Sequence, residues 1–205
     1  MKKDLGRAHP WHGVNIGEKA PKIVNCYIEI VPTDVVKYEL DKASGILKVD
    51  RPQRYSSQCP SLYGFVPQTY CGDRLGSRSA KVVGKKRMRG DGDPLDICVL
   101  TERPINHGDI LVEAVPIGGL LLIDKDEADD KIIAVLESDL LYGSARDISD
   151  IPPALLDRIK HYFLSYKAIP GKKQPIQIAK TYGSKEAKKV IELSQLDYQE
   201  LVFVK

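Results

Sequence analysis

Residues 35–50 read VVKYELDKASGILKVD. In the first part of this stretch apolar and charged side chains alternate, which places Lys37 and Glu39 together on one face of a strand. Residues 41–45 have the Asp, Ser and Gly composition of a turn, and residues 46–50 resume the alternation. The stretch therefore predicts a β-hairpin with one apolar face and one charged face.

Further segments on both sides of the hairpin have the composition and length of short strands. Strands are predicted at residues 23–30, 95–100, 110–115, 117–123 and 131–136. In the last third of the chain, Pro152 and Pro153 mark the start of a helix, and a second helix is predicted from about 185 to 202 with Ser184 as its N-cap. Strands followed by helices indicate an α+β fold, in which the strands are numerous enough to curl into a small barrel.

Length and composition limit the classes of protein to consider. A chain of 205 residues with 42% hydrophobic and 29% charged residues is expected to form one globular domain, here residues 1–205 with a 1–20 N-terminal extension. No apolar stretch reaches the ~20 residues of a membrane span, and the start of the chain lacks a signal-like segment. The four cysteines show no zinc or disulfide spacing, so a cytoplasmic protein with reduced thiols is expected.

The net charge of +3 conceals a strongly basic segment. Residues 74–89 carry seven basic side chains and no acidic one, and they include Gly76 and Gly84 but no aromatic residue that could stack on a base. We therefore predict that residues 72–90 form a basic, solvated loop. A role in steering anions is the alternative.

The strongest local motif is Asp91-Gly92-Asp93-Pro94-Leu95-Asp96, which leads into an apolar strand. Three carboxylates so close together repel one another unless a cation lies between them, and hard divalent cations such as Mg²⁺ prefer oxygen ligands. The motif does not fit a calcium-binding EF-hand loop, because its sixth position is Asp96 and not Gly. From this segment alone, an acidic surface turn and a metal site are both open.

A second acidic cluster occupies residues 124–131, between two apolar runs. Taken alone, it is more typical of a solvated hairpin tip than of a cation site. Lys37 and Glu39 on the hairpin, together with Glu29 on the preceding strand, add mixed charges that would suit a phosphate bridged by metal ions. Considered together, the three elements favour a metal-dependent site for a phosphate compound.

The order of these segments resembles that of the family I soluble inorganic pyrophosphatases. The resemblance covers roughly residues 9 to 167, and the Asp91–Asp96 motif is the family's signature. It implies a closed, five-stranded OB-like barrel with additional strands and two C-terminal helices in residues 152–203. It also implies hydrolysis of pyrophosphate to two orthophosphates, which drives biosynthetic reactions that release pyrophosphate.

The resemblance also implies a role for individual residues, with several Mg²⁺ ions in each active site and Mn²⁺ or Zn²⁺ as substitutes. The expected metal ligands are Asp91, Asp96, Asp124 and Asp129. Glu29 and Glu39 are expected to hold metal-bound waters, and Asp93 is expected to orient and deprotonate the attacking water. The expected substrate-binding residues are Lys37, Arg51, Tyr63, Lys131, Tyr166 and Lys167.

One position departs from the family pattern, since Cys59 stands where many members have an active-site tyrosine. The resemblance further implies a homo-oligomer, with a hexamer favoured, and neither a membrane nor a nucleic-acid partner. Two alternatives are a barrel that binds single-stranded nucleic acid through residues 74–89, and a degenerate relative that binds metal without turnover. The first leaves the aspartates unexplained, and retention of Asp93 argues against the second.

Overall fold

The structure is a computed structural model that describes residues 6–172 and 176–203. Within these residues the chain forms nine β-strands, three α-helices and one short 3-10 helix at Ile148–Asp150. The strands are β1 (Val24–Ile30), β2 (Val36–Leu40), β3 (Leu47–Pro52), β4 (Leu62–Phe65), β5 (Arg89–Gly90), β6 (Asp96–Leu100), β7 (Ile110–Asp124), β8 (Glu127–Leu136) and β9 (Ile176–Gly183). The helices are α1 (Asp73–Val83), α2 (Pro153–Ser165) and α3 (Ser184–Phe203).

Seven strands form one sheet in the order β5-β8-β6-β4-β1-β7-β9, and β7 also pairs with β8. As a result, β1, β4, β6, β7 and β8 each pair with two others of these five strands. Strands β2 and β3 form the separate antiparallel hairpin that the alternation in residues 35–50 predicts. The α+β class is confirmed.

The predicted break between two strands near residue 116 is wrong. Residues 110–115 and 117–123 were expected to form two strands, but they form one strand of 15 residues, Ile110–Asp124. The register against β8 shifts between Pro116 and Gly118. A bulge accommodates the proline, which cannot donate to the sheet ladder, so the strand continues past it.

The prediction of a loop at residues 72–90 is wrong, because Asp73–Val83 is a helix. Leu75, Ser79 and Ala80 are buried on one side of α1. The two glycines that suggested a loop have other uses. A Cβ at Gly76 would lie 2.5 Å from the Met88 carbonyl oxygen, so the helix packs closely there, and Gly84 ends the helix with φ of 71°.

The predicted helical region 152–203 also contains a strand. Helices α2 and α3 begin where the prolines and Ser184 predict, but β9 lies between them and pairs with β7. Strands β4 and β5 were not predicted either, because both are too short to show a clear period.

The helices pack against the sheet through their apolar sides. Ile159 and Phe163 of α2 are buried in one apolar cluster, and Val190 and Ile191 of α3 are buried in another. Burial of such side chains contributes roughly 1.5–3 kcal/mol each. None of the helices in the described residues is both long and apolar enough for a membrane span.

Candidate active site

The two acidic segments meet at the start of β6. Strands β6 and β8 are parallel neighbours, and their register makes Asp96 the partner of Lys131. The Lys131 ammonium donates to Asp96 and, over 2.5 Å, to Asp129 on the same strand. Lys131 is only 3% exposed. One buried ammonium ion therefore lies between carboxylates that are 33 residues apart in the sequence.

Asp91 adds a third carboxylate to this cluster. Burial and the neighbouring Asp129 carboxylate raise the pKa of Asp91 to about 8. Burial likewise raises the pKa of Asp129, although the Lys131 ammonium opposes this effect. Within the aspartate loop, residues 91–95, Gly92 has a φ of 78°, and the Asp93 amide donates to Asp91 over 3.1 Å. Two of the three carboxylates thus contact the Lys131 ammonium, and Asp91 lies near enough for its charge to be felt.

Aromatic side chains close one side of the cluster. The Tyr63 hydroxyl donates to Asp96 over 2.6 Å, and burial raises the pKa of Tyr63 well above its ordinary value. The Tyr63 phenol is therefore a neutral donor. The Lys131 ammonium lies 5.7 Å from the centre of the Phe163 ring, and the Tyr166 ring packs edge-on to Phe163 at 6.0 Å.

The β2–β3 hairpin presents its charged face to the same region. Lys37 contacts Glu39 at 3.1 Å and Asp50 at 3.0 Å, and Arg51 contacts Asp50 at 2.5 Å. Lys37 and Arg51 are cross-strand partners, so the two cations lie side by side. Their charges are held by carboxylates that lie on the hairpin itself.

Glu29 connects the hairpin to the sheet. Its carboxyl group accepts a hydrogen bond from the Leu40 amide at 2.7 Å, and Glu29 is 7% exposed. Burial raises the pKa of Glu29 to about 8, with the Leu40 amide acting in the opposite direction. Glu29 thus contacts the backbone of the strand that carries Lys37 and Glu39.

A cavity of about 80 Å³ lies between the hairpin, β1 and the aspartate loop. Its polar lining consists of Glu29, Lys37, Glu39, Lys42, Tyr63, Asp93 and Asp96. The Lys42 ammonium, on the hairpin turn, contacts the Asp93 carboxylate across the cavity mouth.

The remaining candidate residues lie at the end of β7 and after α2. Lys167 contacts Asp124 at 2.7 Å, and its ammonium lies 5.5 Å from the centre of the Tyr166 ring. Tyr166 reaches the Lys131 cluster through Phe163. The structure thus links all of the residues chosen from the sequence through the hairpin, the aspartate loop, β8 and the end of α2.

Two charged residues of the site were missed in the sequence. Asp50 contacts both Lys37 and Arg51, and Lys42 contacts Asp93. Alternation along β3 could have identified Asp50, because it lies two residues after Lys48, the cross-strand partner of Glu39, and therefore on the same face. No periodic signal identifies Lys42, which lies in a turn.

Cys59 lies in the apolar core and does not line the cavity. It is 1% exposed and belongs to an apolar cluster with Cys98 and Tyr162. Burial raises the pKa of the Cys59 thiol to about 11, so the thiol stays protonated and unreactive at neutral pH.

The donor set suits a hard divalent cation. Asp91, Asp96 and Asp129 offer only oxygen ligands, and one ammonium ion cannot neutralise three ionised carboxylates. In their present positions, no three His, Cys, Asp or Glu side chains of the described residues converge closely enough to hold a metal ion.

The sequence of this chain is similar to those of known proteins. A sequence model described as inorganic pyrophosphatase matches residues 26–199. An inorganic pyrophosphatase of Chlamydia trachomatis is 55% identical over 202 residues, which cover 96% of this chain and 97% of that protein. The soluble inorganic pyrophosphatase 2 of Chlamydomonas reinhardtii is 40% identical over 94% of this chain and 90% of its own length.

A solved structure extends the likeness to three dimensions. The crystal structure of inorganic pyrophosphatase from Thermus thermophilus superposes with a TM-score of 0.78 at 29% identity, and the match covers 94% of this chain and 99% of that one. The chain therefore belongs to the family I soluble inorganic pyrophosphatases, a family of hydrolase enzymes.

Proposed function

We propose that this protein hydrolyses inorganic pyrophosphate to two orthophosphates with the help of bound Mg²⁺ ions. The observation that supports this most strongly is the cluster of Asp91, Asp96 and Asp129 around the single buried ammonium of Lys131. Hydrolysis of a phosphoanhydride depends mainly on positioning and on neutralising the charge of the phosphoryl oxygens. A site with clustered carboxylates for metal ions and nearby cations for phosphate can supply both.

In this proposal, Asp91, Asp96, Asp124 and Asp129 hold the metal ions, and Glu29 and Glu39 hold waters around them. Bound Mg²⁺ would neutralise phosphate charge and lower the pKa of an attacking water, and Mn²⁺ or Zn²⁺ could substitute. The carboxylate cluster would be fully ionised in this state, because a divalent cation opposes both the burial and the Asp129 repulsion that raise the pKa of Asp91.

The other residues bind the substrate or move a proton. Asp93, which is exposed at the mouth of the cavity, orients the attacking water and accepts its proton. Arg51 can contact a phosphoryl group with two parallel hydrogen bonds, and Tyr63 is a neutral donor. The proposed substrate-binding residues are Lys37, Arg51, Tyr63, Lys131, Tyr166 and Lys167.

Binding of single-stranded nucleic acid through the basic segment is disfavoured. Three of its cations pair with acids, since Arg78 contacts Asp130 at 2.9 Å, Arg74 contacts Asp197 at 3.0 Å and Lys85 contacts Asp126 at 2.9 Å. The Arg78 side chain is 13% exposed, so a phosphate backbone cannot reach it without breaking the ion pair. This helix therefore offers less free positive charge than its sequence suggests.

We also propose the following features of the fold, the assembly and the cellular role. The ring of pairings among β1, β4, β6, β7 and β8 supports a closed OB-like barrel. The protein forms one domain and assembles as a homo-oligomer, with a hexamer favoured. It works in the cytoplasm, where removal of pyrophosphate drives biosynthetic reactions that release it.

The test is phosphate release by the purified protein. We expect rapid release from pyrophosphate with Mg²⁺, loss of release with excess EDTA and recovery when Mg²⁺ is restored. p-Nitrophenyl phosphate serves as a control for general phosphatase activity, and we expect it to remain almost uncleaved. Folded protein that releases no phosphate from pyrophosphate in the presence of Mg²⁺ would contradict the proposal.

A further inference from the structure

The segment before β1 is packed into the fold next to the active site. Trp11 is 6% exposed and lies in an apolar cluster with Leu40 of β2 and Phe65 of β4. Pro10 is also buried. Burial of a tryptophan gives such a segment enough apolar contact to stay in place.

His9 contacts the turn of the active-site hairpin. The backbone amides of Trp11 and His12 donate to His9 Nδ1 at 3.2 and 3.3 Å, so Nδ1 is the acceptor and Nε2 carries the proton. His9 Nε2 then donates to the Lys42 carbonyl oxygen at 3.1 Å. A Cβ at Gly45 would lie 2.8 Å from the His9 ring, which shows that the turn rests directly on it.

Trp11 contacts the aspartate loop through one intermediate residue. Its indole N–H donates to the Thr69 carbonyl oxygen at 2.8 Å. The Thr69 hydroxyl in turn accepts a hydrogen bond from the Leu95 amide at 2.9 Å, within the loop that carries Asp93. Thr69 is fully buried, so this connection is protected from water.

We infer that His9 and Trp11 position the β2–β3 hairpin relative to the aspartate loop. Across the cavity mouth, Lys42 of the hairpin pairs with Asp93 of the loop, and both side chains are about half exposed. Such an exposed ion pair contributes about 0–1 kcal/mol, too little to fix the distance between two elements. Glu29 holds β2 to the sheet through the Leu40 amide, and the N-terminal segment adds a second constraint, because it contacts the hairpin turn directly and the aspartate loop through Thr69.

The consequence for catalysis rests on the proposed function. The hairpin carries the phosphate-binding cations Lys37 and Arg51, and the loop carries the proposed base Asp93. A loose hairpin keeps its cations and still binds substrate, but it holds the substrate less accurately against Asp93. Loss of the contact should therefore lower kcat with little change in KM.

The experiment compares His9→Ala with His107→Ala in the full-length protein. His107 is the control, because it is an exposed histidine in the loop before β7 and its side chain does not contact the hairpin or the N-terminal segment among the contacts described. Amide hydrogen exchange at residues 41–46 measures the hairpin turn directly, and steady-state kinetics with pyrophosphate measures kcat and KM. His9→Gln is a conservative variant that can restore a donor towards the Lys42 carbonyl.

For His9→Ala we expect exchange at residues 41–46 to rise, and kcat to fall, by about threefold to tenfold, with KM changed less than about twofold. His107→Ala should stay within about twofold of wild type in both measurements, and His9→Gln should recover part of the loss. Unchanged exchange in His9→Ala, equal effects of both alanines, or a loosened turn with normal kcat would each overturn the inference. If the wild-type protein lacks pyrophosphatase activity, the proposed function fails, and hydrogen exchange alone still decides whether His9 holds the hairpin.

Discussion

Replacement of Asp197 by alanine should destabilise the protein through the start of α1. The residue at the N-cap of α1 is Gly72, which has no side chain to accept from the first helical amides. Asp197 on α3 accepts instead from the amides of Gly72, Arg74 and Leu75 at 3.1, 3.2 and 3.3 Å. The Asp197 side chain is 2% exposed and also contacts the Arg74 guanidinium at 3.0 Å.

The magnitude follows from these contacts. Loss of a helix N-cap costs about 1–2 kcal/mol, and the charge of Asp197 next to the positive end of the helix dipole is part of that cost. The ion pair with Arg74 adds little, because solvent screens the charge of the exposed guanidinium. Asp197→Ala should therefore lower the free energy of unfolding by roughly 1–2 kcal/mol. Asp197→Asn keeps an acceptor oxygen and should cost about half as much.

The assay is urea unfolding at fixed protein concentration, followed by circular dichroism. Glu200→Gln is the control, since Glu200 also pairs with Arg74 but its side chain is 56% exposed. It should change the free energy of unfolding by less than about 0.5 kcal/mol. If Asp197→Ala were no more destabilising than Glu200→Gln, the capping role of Asp197 would be refuted.

Two further predictions concern charge. Lys131→Met removes the ammonium between Asp96 and Asp129, so the free energy of unfolding without metal, measured by calorimetry, should fall by roughly 3–5 kcal/mol. Added Mg²⁺ should stabilise the variant more than wild type. Equal stabilisation of both proteins by Mg²⁺ would contradict this role of Lys131. The pKa of Asp147 is lowered because its carboxylate accepts a hydrogen bond from the Ser184 amide. Its contribution to the stability of the fold is therefore fully present above the unfolded-state pKa of about 3.9, and it is lost as the pH falls through the lower folded-state pKa. The difference in urea midpoint between wild type and Asp147→Asn should therefore shrink below about pH 4, and a difference that is constant from pH 7 to 3 would count against it.

The sequence predicted the features that depend on local pattern. The alternation in residues 35–50 was sufficient for the hairpin, and Pro153 and Ser184 were sufficient for the starts of α2 and α3. The carboxylates could be chosen because closely spaced acids need a cation, but the register that makes Asp96 the neighbour of Lys131 is a property of the parallel pairing. Their roles in binding and catalysis remain predictions.

The errors occurred where distant residues decide the local structure. Residues 72–90 look like a solvated basic loop because the acids that neutralise Arg74 and Arg78 lie on β8 and α3. Helix α1 also lacks a capping side chain in its own sequence. Lys42 was missed for a similar reason, since its position near Asp93 depends on the fold of the hairpin over the loop.

The most direct test of the proposed activity and of the role of Asp93 is phosphate release from pyrophosphate. It is measured for wild type, Asp93→Asn and Asp126→Asn at the same Mg²⁺ concentration. Asp126 is the control because it lies at the β7–β8 tip, with a side chain that is 93% exposed and paired only with Lys85 among the contacts described. We predict rapid release by wild type and Asp126→Asn, and a loss of about 100-fold or more in kcat for Asp93→Asn, the range of general acid–base catalysis. Equal rates for all three folded proteins would contradict the assignment of this site.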